Sequence, residues 1–584
     1  MRRFGGILPH TRMMHEPPPI SLLRKRFATR WPWLVTALMM TVYFCVVLRW
    51  ISASTAIPTF DQAAYVEQSY YLADLLYQRP WQLLNPWALI GGDWANRPPL
   101  FPLITAPLGM QADPRLLAIV WLGARMAVLG VALYALARRI GPGWWLPAAC
   151  AVILAHPNNL TVYPHLLMAD QVFEMVGLLV WVIGLYYLDQ PTWRRGIGFV
   201  LSMITLLLIK PAALAWAFPL VLISGWVLYR QHRLSAQSRR WWVTTVLIPA
   251  GVGLGLLALL ATTRYLPSVV GQYAEGARGY WATKTNWLEQ ARLAGWLLAP
   301  WLLVPLLVIF WQRPSKGNLM FTSALLMGLW WWVFNAYITY TLDARIISAM
   351  SAVVVVGILT TVTTRTGQII TALVALGFFS LSLLNATGLL PTSIRDRLAP
   401  LCPLGAVQHP SVEVGLLPMA VRTDTAIRIR APELPHRLML LCHDDFTDSI
   451  AFRLALRRLG VADQYRFEYF CWHGTDQDLT HTFGPGGNQW FITKQHRQTT
   501  PLQGDAFLNL TALHQLVTNP DSPIAPRFVR VLDQEVKLPD HHDTLTLWQL
   551  PTPLSPAEIR AAAAYILPLY AGKPGAAGIA RQAQ

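Results

Sequence analysis

Apolar runs of membrane length recur along this chain, and they carry so few charges that only helices can accommodate them. Hydrocarbon offers no partner for an unpaired backbone N–H or C=O, so a lipid-embedded segment must satisfy its own hydrogen bonds. A spanning helix needs about 20 mostly apolar residues. Runs of this kind lie near 32–52, 117–137, 144–157, 167–188, 197–209, 212–229, 243–263, 293–312, 319–341, 345–363 and 368–390, which predicts about eleven spans. The runs at 144–157 and 197–209 are short for the task. Another, at 100–112, is too short and proline-rich to cross alone and reads as a re-entrant lead into the helix at 117–137. Charged residues make up only 13% of the chain, against about 25% in soluble proteins. The 26 tryptophans suit a protein with indoles at both membrane interfaces.

The excess of basic residues sets the topology. Arg2, Arg3, Arg12, Arg24, Lys25, Arg26 and Arg30 crowd the N-terminal segment. Alternate links then carry Arg138 and Arg139; Arg194 and Arg195; Arg230, Arg233, Arg239 and Arg240; Arg313 and Lys316; and Arg365. With eleven spans all of these fall on one side, the cytoplasmic one. The net charge of +17 therefore reads as topology and contact with anionic lipid, and no nucleic-acid partner is expected. Residues 1–31 form a cytoplasmic tail in this reading, and 32–390 a transmembrane domain with a long outer loop at 53–99. Residues 391–584, where charges and histidines return, form a soluble domain on the outer side, the periplasm of a bacterial inner membrane.

Within the outer loop, Asp61 to Leu76 has apolar residues spaced for a helix. Trp81, Leu84, Trp87, Leu89 and Trp94 follow as an aromatic stretch suited to the interface plane. Beyond 391, strands are predicted at Arg437–Leu441, Arg466–Cys471, Gln489–Thr493 and Phe528–Leu532, with an amphipathic helix at Thr447–Leu459. That is an α/β pattern. Cys402, Cys442 and Cys471 permit at most one disulfide there.

Two features of the outer loop carry chemistry. Phe60-Asp61-Gln62-Ala63-Ala64-Tyr65 places a carboxylate just outside the first span, and Gly92-Asp93-Trp94-Ala95-Asn96-Arg97-Pro98-Pro99-Leu100 places a cation in a stiff turn that opens the next apolar run. A carboxylate can take a proton from a hydroxyl. A guanidinium can hold a phosphate. Asp61 also suits a helix N-cap, and Arg97 a snorkelling interfacial residue. Lys210 sits between two apolar runs at the outer face, where a cation is either an anchor or functional. Asp170 and Glu174 lie one turn apart at the start of a span, suited to orienting a cation or binding an acceptor. His156 and His165 precede them, yet no zinc-type spacing results. Glu67, six residues after Asp61, points to a different side of the helix. His541-His542-Asp543 and Cys442-His443-Asp444-Asp445 read as turn or surface residues. Gly251-Val252-Gly253-Leu254-Gly255, inside a span, reads as a place where helices approach closely.

From Asp61, Tyr65 and the Arg97-Pro98-Pro99-Leu100 turn onward, the chain resembles the GT-C glycosyltransferases, polytopic enzymes that take a sugar from a polyprenyl phosphate. It is most similar in pattern to the lipid A aminoarabinose transferases and the protein O-mannosyltransferases. Their first outer loop opens with an acidic motif followed by Tyr and closes on a Lys-Pro-Pro-Leu type turn. Gly92-Asp93-Trp94, Lys210-Pro211 and Asp343-Ala344-Arg345 fit further family segments, and the likeness covers roughly 30–390. It implies Asp61 as base, Arg97, Lys210 and Arg345 as donor-phosphate ligands, and Tyr65, Asp93, Asp170, Glu174 and Asp343 as substrate-binding or orienting residues. It further implies a polyprenyl-phosphate sugar donor and a glycan, lipid or protein acceptor at the outer face, with surrounding membrane lipid as the remaining partner. No cofactor is expected, and a divalent metal has no supporting ligand pattern. Three departures stand out. Gln62 replaces a Glu, Ala64 stands where the aminoarabinose transferases place a phosphate-binding Arg, and Arg97 replaces Lys. An inactive scaffold that binds lipid-linked sugar is therefore an alternative. A flippase or transporter is a weaker one, since it calls for charges deep inside spans and paired halves.

Overall fold

The structure is a computed structural model. It describes residues 19–90, 98–156, 167–263, 319–335, 350–398, 415–441, 449–467, 478–495, 508–537 and 542–584, apart from 56, 59, 111, 236–238 and 573–574, together with 159–160, 265–267, 270, 288, 291–292 and 404.

Among the described residues the apolar runs are helices, and the chain is a multi-pass membrane protein. Among the described residues six helices are long and apolar enough to cross a bilayer: Arg30–Ala53, Pro114–Ile140, Ala169–Asp189, Ala213–His232, Arg240–Thr262 and Arg365–Ala386. The expected count of about eleven goes beyond what these residues show. The first belongs to α1 (Pro19–Ala53). It leads through a short link to α2 (Phe60–Gln78) in the loop at 53–99, over the stretch expected to be helical. Next come α3 (Leu100–Thr105), α4 (Pro114–Ile140), α5 (Trp145–Ala155), α6 (Ala169–Asp189), α7 (Trp193–Leu207), α8 (Ala213–Ser235) and α9 (Ile248–Thr262). The later helices are α10 (Leu319–Phe334), α11 (Ser351–Leu359) and α12 (Arg365–Ala386).

The short runs behave as their lengths dictate. Helix α3 has six residues and runs into a 3-10 turn at Ala106–Leu108, so the 100–112 segment does not cross. All eleven residues of α5 are buried. At about 1.5 Å per residue it cannot reach across a bilayer core of about 30 Å. Its apolar circumference is explained by helices on every side, including α1, α11 and α12. Helix α9, by contrast, exposes Leu254 and Leu259, as a lipid-facing helix can. Gly253 lets α9 approach α7, because a Cβ there would sit 3.1 Å from Val200 Cγ1.

The C-terminal part is a mixed five-stranded sheet with helices on both faces. Its elements are α13 (Leu416–Arg430), β1 (His436–Leu440), α14 (Ser449–Arg458), β2 (Tyr465–Phe467), β3 (Trp490–Lys494), α15 (Leu508–Thr518), β4 (Val529–Lys537), β5 (His542–Gln549) and α16 (Pro556–Ile566). The strand order is β2-β1-β3-β5-β4. Strand β1 is parallel to both β2 and β3, and β5 is antiparallel to β3 and β4. Strand β5 is an addition to the strands expected from the sequence. It begins at His542, inside the His541-His542-Asp543 triplet, whose first residue lies outside the described residues. Alternation sorts the side chains. Leu438, Leu440, Trp490, Ile492, Leu545 and Leu547 belong to one core that continues into the membrane helices. Met439, Leu441 and Phe491 face the opposite core with α15 and α16.

Candidate functional site

Helix α2 is the centre of the site. Residues 62–70 are buried without a break, because the helix is wedged between α3 on one side and α14 of the C-terminal region on the other. Asp61 is its second residue, inside the first turn, and so is not the residue preceding the helix. One turn on, the Tyr65 ring meets Trp121 of α4 edge-on at 5.6 Å, and Phe101 of α3 meets the same indole at 4.7 Å. Ser69 Oγ accepts a 2.9 Å hydrogen bond from Thr105 Oγ1. Trp121 is thus a shared platform that joins the Asp61 helix to the segment following Arg97. Ala64 is fully buried, so the space that an Arg would need at this position is filled by packing.

A second strand of the site comes from the turn before Lys210. The Leu100 N–H donates to the Leu208 carbonyl at 3.2 Å, which ties the end of the Arg97-Pro98-Pro99 turn to the chain two residues ahead of Lys210. Tyr265 Oη donates to the Leu207 carbonyl at 2.5 Å, bracing the same turn. Lys210 Nζ donates to Asp170 Oδ1 in the first turn of α6, and both side chains are largely buried. An ammonium has three donors, so this pair leaves Lys210 capable of a further anionic contact.

Asp93, Arg97, Asp343 and Arg345 lie outside the described residues, as do His165 and His541. So does the whole Cys442-His443-Asp444-Asp445 stretch. Among the described residues no three His, Cys, Asp or Glu side chains gather as a metal site would require. Burial first, then the nearby Glu67 charge, pushes the Tyr70 phenol well above its usual value, with Arg457 opposing.

One turn below Asp170, Glu174 is buried within the bundle. Its Oε1 accepts hydrogen bonds from Ser351 Oγ and from the Ala352 N–H at 3.2 Å, and its Oε2 from Asn159 Nδ2 at 3.4 Å. Arg125 of α4, also buried, donates to Gln171 Oε1 and, at 2.5 Å, to Tyr43 Oη; Tyr43 in turn donates to the Asn159 carbonyl at 2.5 Å. This network joins α1, α4, α6 and α11. Sequence reasoning passed over Arg125, although a lone Arg inside an apolar run is itself a signal. Charge is thus not confined to span ends. Arg125 and Glu174 lie inside candidate spans, and hydrogen bonding makes that tolerable.

The chain is similar in structure to ArnT from Cupriavidus metallidurans, solved bound to undecaprenyl phosphate, with a TM-score of 0.52 over 89% of this chain and 98% of that one. The two share a fold, in keeping with the GT-C resemblance of the sequence. At 13% identity the likeness is one of fold. No protein-family model and no curated protein sequence matches the chain. The likeness in fold extends past the roughly 30–390 covered by the sequence resemblance.

Proposed function

We propose that this protein is a membrane glycosyltransferase that moves a sugar from a polyprenyl phosphate to an acceptor hydroxyl at the outer face by inverting displacement. The observation that carries the proposal is the GT-C-type fold over 89% of the chain, shared with a protein whose structure holds undecaprenyl phosphate. In this reading Asp61 takes the acceptor proton and the acceptor oxygen attacks the anomeric carbon. The bond from that carbon to the phosphate oxygen breaks, and the phosphate leaves with the electron pair. Arg97, Lys210 and Arg345 hold the phosphate. Asp170 aims Lys210, while Tyr65, Asp93, Glu174 and Asp343 shape or orient the substrate site. The N-terminus is cytoplasmic, and residues 391–584 stand on the outer side as a separate domain that positions the acceptor.

The test is transfer by purified protein in detergent with a panel of synthetic polyprenyl-phosphate sugars and membrane-extract acceptors. Donor consumption by wild type, lost in folded Asp61→Asn and Arg97→Ala, is the expected result. Full activity in Asp61→Asn rejects it as the base. The inactive-scaffold reading has one observation in its favour, the fully buried Ala64 in place of a phosphate-binding Arg. It predicts donor binding without turnover across the panel.

A further inference from the structure

Glu67 lies six residues beyond Asp61 on α2, about 9 Å along the helix. It is 2% exposed, and the cations around it come from a distant part of the chain. Arg457 of α14 donates from Nε to Oε1 at 3.2 Å and from Nη2 to Oε2 at 3.1 Å. Arg453, one turn earlier on α14, stands 3.7 Å from Oε2. The Arg457 guanidinium also lies over the Tyr70 ring, 5.1 Å from its centroid, and Tyr70 Oη donates to the Ala112 carbonyl at 2.6 Å. A carboxylate, a two-pronged guanidinium and an aromatic face therefore converge where the C-terminal region meets the outer-loop helix.

We infer that this cluster is a clasp by which the C-terminal α/β region holds α2, and that Glu67, Arg453 and Arg457 are positioning residues for Asp61. The physical case is one of register. An apolar contact tolerates sliding, but a buried carboxylate that loses its partners leaves an uncompensated charge, so the fork-to-carboxylate geometry permits one docking position. Helix α2 meets membrane helix α4 through Tyr65 on Trp121, and α3 through Ser69 on Thr105, from a face other than the one that carries Glu67. The clasp supplies the opposing grip. A stiff helix transmits that grip to its first turn, where Asp61 sits. The C-terminal region thus has a task separate from acceptor binding. The clasp stands on geometry alone; its consequence for sugar transfer rests on the function proposed above.

The experiment uses the full chain in detergent with two readouts, amide hydrogen exchange of residues 60–78 and donor turnover measured beside donor affinity. Three proteins are compared: wild type, Glu67→Gln, and the apolar triple variant Glu67→Leu/Arg453→Met/Arg457→Met. Glu67→Gln is expected to speed exchange in α2 by roughly tenfold or more. It should lower turnover by a similar factor while leaving donor affinity unchanged. The triple variant, with no stranded charge, is expected to recover slow exchange and part of the turnover. Unchanged α2 exchange in Glu67→Gln overturns the clasp. Faster exchange with turnover equal to wild type overturns the link to Asp61. If wild type transfers no sugar, the proposed function fails, and the exchange readout still decides the clasp by itself.

Discussion

Replacing Trp121 with alanine probes whether the platform under Tyr65 and Phe101 positions the site or merely fills space. Trp121 is 1% exposed. It lies in a candidate span, where lipid is as apolar as the interior, so the cost comes from lost packing and cavity formation more than from exposure to water. Truncating a buried Trp costs about 3–5 kcal/mol. Two edge-on ring contacts at about 0.5–1.5 kcal/mol each make up about 1–3 kcal/mol of that, all on the Tyr65 and Phe101 side. The indole Nε1 has no hydrogen-bond partner among the described residues, and deleting an orphaned donor returns about 1–3 kcal/mol. The net expectation for Trp121→Ala is a loss of about 2 kcal/mol, within about 0–4 kcal/mol. Trp121→Phe keeps a ring and removes the orphan, and is expected to stay within about 1 kcal/mol of wild type. Trp181→Ala is the control: Trp181 of α6 is fully buried, and its Nε1 donates to Ser323 Oγ of α10 at 3.1 Å. Unfolding in mixed micelles supplies the stabilities, and donor turnover at equal folded fraction supplies the functional readout. Trp121→Ala should lose turnover well beyond Trp181→Ala, with Trp121→Phe near wild type. Equal losses in the two alanine variants refute a positioning role for the platform.

Arg125→Met removes the donor to Tyr43 Oη and to Gln171 Oε1 inside the bundle, and should destabilise the membrane helices by about 2–4 kcal/mol in the same micelle assay. In the sheet, Lys494 Nζ and Asp543 Oδ2 form a buried pair at 3.5 Å. Asp543→Asn should cost about 3 kcal/mol, whereas Lys494→Met/Asp543→Leu should be close to neutral, measured as exchange protection of β3 and β5. Burial holds the His436 imidazole below its ordinary value, with Asp424 opposing and Arg428 assisting, and its ring faces Tyr465 at 5.3 Å. The native state therefore prefers the neutral ring, while the unfolded chain takes up a proton near the ordinary value of 6.5. The stabilisation is complete above that pH and is lost as pH falls toward the lower folded value. Exchange protection of β1 should drop on acidification below 6.5 in wild type, and His436→Phe should flatten that part of the profile.

Much of the architecture follows from local pattern. The long apolar runs became helices because hydrocarbon leaves a backbone no other choice, and α2 emerged from the spacing of Tyr65, Leu72, Leu75 and Leu76. Strands β1, β2, β3 and β4 overlap the expected segments, since short apolar or aromatic runs such as Leu438–Leu441 and Trp490–Ile492 mark strands covered on both faces. Strand β5 escaped notice although Thr544-Leu545-Thr546-Leu547 alternates cleanly, because its His-His-Asp start reads as a turn. The residues of the candidate site, Asp61, Tyr65, Lys210 and Asp170, could be named in advance from the family resemblance together with the placement of charges at the ends of apolar runs.

Pairing belongs to the tertiary structure. Glu67 meets Arg453 and Arg457 across nearly four hundred residues of chain, and nothing in its neighbours announces those partners. Lys210 meets Asp170 of α6 at the end of a turn that Leu100 and Tyr265 brace through the Leu208 and Leu207 carbonyls. Arg125 sits inside a span because Tyr43 and Gln171 arrive from α1 and α6 to accept its hydrogen bonds. Periodicity and charge at span ends act over a few residues and survive in the sequence. The identity of a buried charge's partner depends on which surfaces the packed helices bring together, and that is decided only when the chain has folded.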